Sequence, residues 1–493
     1  MQFNSYLFLL LFLPAVLAGY FGLCRMKRHT WARGFLAAMS LVFFAYANPW
    51  YLGLLVGSAV FNWAVSRVLA GEGNKETAKG NGKTPGRTDG KKSGRRMVLV
   101  FGICANLALL FYFKYTNFFI ENLNAFLGKD IAFTRLLLPV GISFFTFQQI
   151  AWLVDSFCME TGDYSFWDYF LFTVYFPKIA MGPILLHGEF MPQLKDPSRL
   201  KADSRNMAEG LMILAVGLFK KVILAEFFAG PVNWGYAQVE ILSSTDAFLV
   251  MLAYTFQLYF DFSGYCDMAM GISRMFNLEL PLNFNSPYKA LSPVEFWKRW
   301  HMTLTRFLRT YIYFPLGGSR KGSLRTYMNI MIVFLVSGFW HGAAWTFILW
   351  GALHGAAQAL NRVFKRQWEN LHTAFRWMAT FLFVNLTWVI FRSESISQAK
   401  LFLKRLLDFG NMQINPSFMD SFKMVELPLW LTGHRVFTVL GLYGIVLCLV
   451  MNARNMGETE LRPTFLRGAG TALLLVWSVL SLAGISGFIY FQF

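Results

Sequence analysis

Residues 336–351 read VSGFWHGAAWTFILWG, a run of apolar and small residues whose one ionisable side chain is His341. The run is part of a longer stretch, 326–349, with no Asp, Glu, Lys or Arg. About 20 consecutive apolar residues suffice to cross a bilayer as a helix, so this stretch reads as a membrane segment. Further apolar segments lie at about 97–114, 135–154, 166–186, 207–229, 246–275, 374–391, 434–451 and 469–491. The pattern predicts an all-α polytopic membrane protein with roughly ten to twelve transmembrane helices, together with re-entrant and interfacial helices. The 493 residues then form a single membrane domain, 1–493.

Composition agrees. The chain is 56% hydrophobic, 18% aromatic and 15% charged, against about 25% charged residues in soluble domains. Residues 3–23 have no basic residues before them, unlike a cleavable signal peptide, and are read as a retained first helix. The net charge of +18 would suit nucleic acid by size alone. The basic residues instead fall in short loops between apolar segments, the positive-inside arrangement, and no nucleic-acid partner is expected. Residues 71–96, GEGNKETAKGNGKTPGRTDGKKSGRR, carry eight basic and three acidic residues and almost nothing apolar. They are expected to form a disordered basic cytoplasmic loop. The basic loop CRMKRHTWAR, 24–33, is also cytoplasmic on this rule, which makes 34–70 a hairpin broken near Asn48-Pro49. The five cysteines form no CxxC or Cys/His metal spacing, so free thiols and no metal are expected.

Residues 292–313, SPVEFWKRWHMTLTRFLRTYIY, open with Ser292, Pro293 and Glu295, a capping box with proline at the first helical position. On a helix, Phe296, Trp297, Trp300, Leu304, Phe307, Leu308 and Tyr311 form one stripe. Lys298, Arg299, Arg306 and Arg309 lie opposite, with His301 on the border. This is the pattern of an interfacial amphipathic helix. Anchoring to anionic membrane lipid accounts for the basic face by itself; binding the phosphates of a cofactor is the sharper reading. Gly317-Gly318-Ser319-Arg320-Lys321-Gly322 follows as a basic flexible loop.

Counted from Thr326, His341 is about 15 residues into its segment, or ~22 Å along a helix, near mid-membrane. An ionisable residue at that depth is a functional candidate; the competing reading is a neutral imidazole that fixes packing, supported by small residues at Gly338 and Gly342. His354 reads as structural. Asp261 and Asp267 would suit a proton-coupled transporter, but a helix cap beside Ser263-Gly264 is the simpler role for Asp261. Trp340, Trp345 and Trp350 are candidates to narrow a pocket.

Three stretches together resemble a known family: QLYFDFSGYCDMAMGISRMFNLELPLNFNSPY, SPVEFWKRWHMTLTRFLRTYIYFPLGGSRKG and VSGFWHGAAWTFILWGALHGAAQ. They look like the membrane-bound O-acyltransferases and, within that family, the alginate O-acetyltransferase membrane subunits. The likeness covers nearly the whole chain and is least distinctive beyond about residue 400. It implies that His341 is the essential histidine and His301 the second family histidine. It also implies acetyl-CoA as donor substrate with no permanently bound cofactor, and Lys298, Arg299 and Arg306 as candidate contacts to it. The implied acceptor is an exported or cell-envelope polysaccharide such as alginate, cellulose or peptidoglycan, reached through an extracytoplasmic acetyl-relay protein from a bacterial plasma (inner) membrane enzyme. A distant relative transfers D-alanine to teichoic acid. Two positions depart from the family pattern: Arg309-Thr310-Tyr311 where RDY is usual, and Lys178 where Gln is frequent. A transporter or flippase with a histidine proton relay is the rival class; the lack of a visible internal repeat weighs against it. A non-catalytic scaffold is the third reading.

Overall fold

The computed structural model describes residues 1–70, 89–133, 136–422, 435–452, 455 and 462–483. Among the described residues every regular element is helical. Five helices are long and apolar enough to cross a membrane: Leu7–Arg25, Trp50–Ala70, Ser93–Lys114, Thr373–Arg392 and Arg435–Asn452. Other apolar runs are subdivided or carry paired charges, which protein-enclosed helices tolerate and lipid-facing ones do not. Of the expected disordered loop, residues 71–88 lie outside the described residues. Residues 89–96 are not loop but the opening turns of the helix Asp89–Lys114. Helix growth is cooperative, so the apolar run behind them carries the helix back into the basic tract.

Two compact units are found. The first comprises Met1–Leu211 and Ala269–Pro281. Its helices His29–Ala45 and Trp50–Ala70 are separated at Asn48-Pro49, as the proline requires. Phe3, Phe8, Phe12, Phe43 and Phe176 interlock around one core, with ring centroids 5.0–6.5 Å apart. Between the helices Trp50–Ala70 and Asp89–Lys114, Asn62 and Asn106 exchange side-chain hydrogen bonds of 3.1 and 2.7 Å. Asp155 Oδ2 faces His187 Nε2 at 3.2 Å. Lys178 is buried with its Nζ 4.3 Å from the centre of the Phe172 ring.

The second unit comprises Met212–Met268 and Leu282–Phe493. The helix Ser244–Met275 runs unbroken through Ser263-Gly264, so Asp261 does not cap a helix there. Lys221 reaches Asp261 at 2.5 Å and Lys220 reaches Asp267 at 2.6 Å. Both lysines lie on the π-helical turn Lys220–Ala225, where the extra residue re-aims the side chains. Gly217 and Gly264 let the two backbones meet: a Cβ on either would lie within 2.8 Å of the other's carbonyl oxygen.

The 326–349 run is likewise two helices, Ser323–His341 and Trp345–Val363. Gly338 and Gly351 bring them together, their Cα-side surfaces so close that a Cβ on Gly338 would lie 2.3 Å from the Phe347 carbonyl oxygen.

Candidate active site

Both candidate histidines stand at helix ends, His341 closing one helix and His301 preceding another. The Ser323–His341 helix ends on His341, and Gly342 continues in an extended conformation (φ −164°, ψ 157°). His341 is therefore a helix terminus rather than a mid-helix residue. Gly342 is required by space: a Cβ would lie 2.0 Å from the Phe347 ring.

The segment 292–313 is not one helix. It forms Pro293–Arg299, Met302–Leu308 and the π-helical turn Arg309–Tyr313. Ser292 caps the first helix by accepting from the Glu295 amide at 3.1 Å. Trp300 is extended and His301 is left-handed (φ 45°, ψ 52°), a conformation that costs a non-glycine residue roughly 1–2 kcal/mol. The expected lipid-facing stripe is a packing face within the protein, since Phe296, Trp297, Trp300, Leu304, Phe307 and Leu308 are all buried.

The chain break is held from Leu282–Asn285. Asn283 O accepts from the Met302 amide at 2.9 Å, and Asn285 N donates to Arg299 O at 2.8 Å. The Asn283 side chain is the hub. Its Oδ1 accepts from Thr303 N at 3.2 Å and Thr303 Oγ1 at 2.9 Å, and lies 3.1 Å from His301 Nδ1. Its Nδ2 donates to Cys266 Sγ at 3.3 Å. Nothing within PLNFNSPY marks Asn283, because only the fold brings it to a histidine 18 positions away.

These two stops converge. The His301 and His341 ring centroids are 6.4 Å apart, and both rings are buried. The His341 ring meets Trp340 at 5.0 Å, Trp350 at 5.2 Å and Phe391 at 5.4 Å. Phe262 stands edge-on to His301 at 4.8 Å. Since His301 lies between two seven-residue helices, too short to span, its titration follows from protein burial, which pushes the imidazole down to about 3 and keeps it neutral. The indole Nε1 of Trp350 is buried and makes no hydrogen bond among the described residues. Trp345, by contrast, is exposed.

His354 also reaches the cluster, through the Trp350 ring at 4.8 Å. Both of its nitrogens are occupied: Trp297 Nε1 donates to Nδ1 at 3.1 Å, and Nε2 lies 3.0 Å from Thr387 Oγ1. It ties three helices together, in line with a structural role. The three basic candidates are not equivalent. Lys298 is exposed and Arg306 half-buried. Arg299 is bound to Glu295 at 2.9 Å and to the Asn285 carbonyl at 3.2 Å, which commits it to the fold. Arg320 and Lys321 are exposed on the glycine loop, where Gly317, Gly318 and Gly322 are left-handed. No group of His, Cys, Asp and Glu able to hold a metal occurs among the described residues.

The model of the membrane-bound O-acyltransferase family matches residues 7–397. A peptidoglycan O-acetyltransferase of Helicobacter pylori is 41% identical over 442 residues, 84% of this chain and 81% of that protein. A probable alginate O-acetylase of Azotobacter vinelandii is 34% identical over 90% of this chain and 85% of its own length. A teichoic acid D-alanyltransferase of Lacticaseibacillus rhamnosus is 25% identical over 71% of this chain and 83% of its own.

Proposed function

The chain belongs to the membrane-bound O-acyltransferase family, and from that premise we propose that it moves an acetyl group from cytoplasmic acetyl-CoA to hydroxyls of a cell-envelope polysaccharide. Peptidoglycan is the first acceptor to test and alginate-like polymers the second, following the relatives' names. The enzyme would work from the bacterial plasma membrane with an extracytoplasmic partner that relays the acetyl group.

The observation that carries this reading is the convergence of His301 and His341 in a buried aromatic core, 6.4 Å ring to ring. A neutral His341 takes the proton of the acceptor hydroxyl as its oxygen attacks the thioester carbonyl. The carbon–sulfur bond then breaks, and the proton passes to the departing thiolate of coenzyme A. General-base assistance of this kind is worth about 10²–10⁴-fold. Trp350 Nε1–H is a buried donor beside His341, suited to the oxyanion that develops on the carbonyl. Aromatic walls exclude water and protect the thioester from hydrolysis. Lys298 and Arg306, with Arg320 and Lys321, supply positive charge for the donor's phosphates.

The test uses purified protein in nanodiscs. Free thiol released from acetyl-CoA, and acetyl on added peptidoglycan strands or alginate, are followed for wild type and His341→Asn, with and without the partner. Transfer that depends on His341 supports the proposal. Failure to bind acetyl-CoA overturns the donor, and turnover unaffected by His341→Asn overturns the site.

A further inference from the structure

The hydrogen bonds around His301 define more than its position. Asn283 Oδ1 receives the Thr303 backbone N–H at 3.2 Å. A backbone amide can only donate, so the side-chain atom facing it is the carbonyl oxygen and not the NH₂, which would set two donors face to face. The other end agrees, since Nδ2 points at Cys266 Sγ, a weak acceptor, at 3.3 Å. An amide oxygen in turn can only accept. His301 Nδ1, 3.1 Å from that oxygen, must therefore carry a hydrogen. In a neutral imidazole one nitrogen is N–H and the other is not.

We propose that Asn283 is a positioning residue that locks His301 in the Nδ1–H tautomer, so that Nε2 is the nitrogen that accepts a proton or hydrogen bond during acyl transfer. The part of this that concerns catalysis rests on the function proposed above; the tautomer itself does not. The same residue pins the left-handed turn, its backbone carbonyl taking the Met302 amide and its side-chain Oδ1 the Thr303 amide and hydroxyl. Orientation of a histidine by a hydrogen bond to its second nitrogen is a general device, used wherever one imidazole nitrogen must be presented in a fixed protonation state. Here the orienting group is a neutral amide rather than a carboxylate. It sets the tautomer without drawing the ring toward imidazolium, as a carboxylate at that distance would.

Two measurements test it separately. The first needs no turnover. Protein labelled with ¹⁵N-histidine is reconstituted in nanodiscs, and the His301 nitrogens are identified as the signals lost in His301→Gln. The expected pattern is a protonated Nδ1 with an unprotonated Nε2; a protonated Nε2 overturns the proposal whatever the enzyme's substrate is. The second compares Asn283→Leu, which removes the acceptor, with Asn283→Asp, which keeps it. Asn283→Leu is expected to lower kcat about ten- to a hundredfold with KM for acetyl-CoA changed less than twofold at every pH, and Asn283→Asp, whose carboxylate keeps the acceptor for Nδ1–H but favours imidazolium, to recover kcat toward the wild-type value as the pH is raised. Thermal melting in the same nanodiscs checks that each variant is folded. Equal losses in folded Asn283→Leu and Asn283→Asp at every pH, with no recovery of Asn283→Asp as the pH rises, would reduce Asn283 to a turn-holding role and overturn the positioning claim. A fully active His301→Gln would instead overturn the proposed use of His301, leaving the spectroscopic result standing.

Discussion

Two helix breaks fall beside histidines, and they are held by opposite means. After His341 the backbone turns into an extended conformation open to any residue, and what makes the stop specific is space, because Gly342 sits against the Phe347 ring. At His301 the residue itself adopts the left-handed conformation, and hydrogen bonds accepted by Asn283 hold it there. One stop is steric and the other is polar. A steric stop fixes where the chain goes but leaves the imidazole's protonation to its surroundings. A polar stop fixes the chain and the imidazole together.

The largest test of this contrast is chemical. His341→Asn is expected to lower kcat by about 10²–10⁴-fold with the protein still folded, read as release of coenzyme A. Trp350→Phe keeps the packing and removes one donor; a loss of about 10² in kcat is expected, with KM little changed. The steric stop is probed by Gly342→Ala, which overpacks against Phe347 and should cost about 1–3 kcal/mol of stability, seen as a lower Tm. Combining it with Phe347→Leu should return part of that loss, and no recovery would show that the stop is not steric.

His354→Leu serves as the control histidine. It strands the Trp297 N–H and should cost about 1–3 kcal/mol, while kcat of the folded enzyme stays within threefold. The smallest effect is expected at Arg299→Gln. Its ion pair with Glu295 is half-exposed and worth about 0–1 kcal/mol, and KM for acetyl-CoA should stay within twofold. A large rise in that KM would return Arg299 to the donor site.

Much of the architecture was legible in hydropathy, and the reasons for the exceptions are physical. Asn48-Pro49 announces its own break, and the apolar runs announce helices. The stop after His341 is silent, because Gly342-Ala343-Ala344 is as apolar as what surrounds it. The stop at His301 is silent for another reason: WKRWHMTL keeps helical periodicity on both sides, and the force that breaks it comes from Asn283, outside the segment. His341 stands out by its depth in an apolar run and His301 by resemblance, and the two meet in space. Asn283 carries no local signal, since its role exists only once the Leu282–Asn285 stretch lies beside the turn. Asp261 was misread as a cap because Ser263-Gly264 looks like a helix end; in a crowded interior that glycine instead admits the backbone at Gly217.

The neighbouring lysines of the π-helical turn bear on how the protein is made. Lys220 and Lys221 both end on carboxylates of the helix Ser244–Met275. Entering a bilayer alone, each such charge at a helix centre carries a penalty of about 2.5–3.5 kcal/mol, and this pair of segments holds four. Neither segment is a good insertion unit by itself, and together their charges cancel. Biogenesis of this region is accordingly a matter of pairing: the lysine-bearing turn and the aspartate-bearing helix are expected to be buried together rather than one at a time.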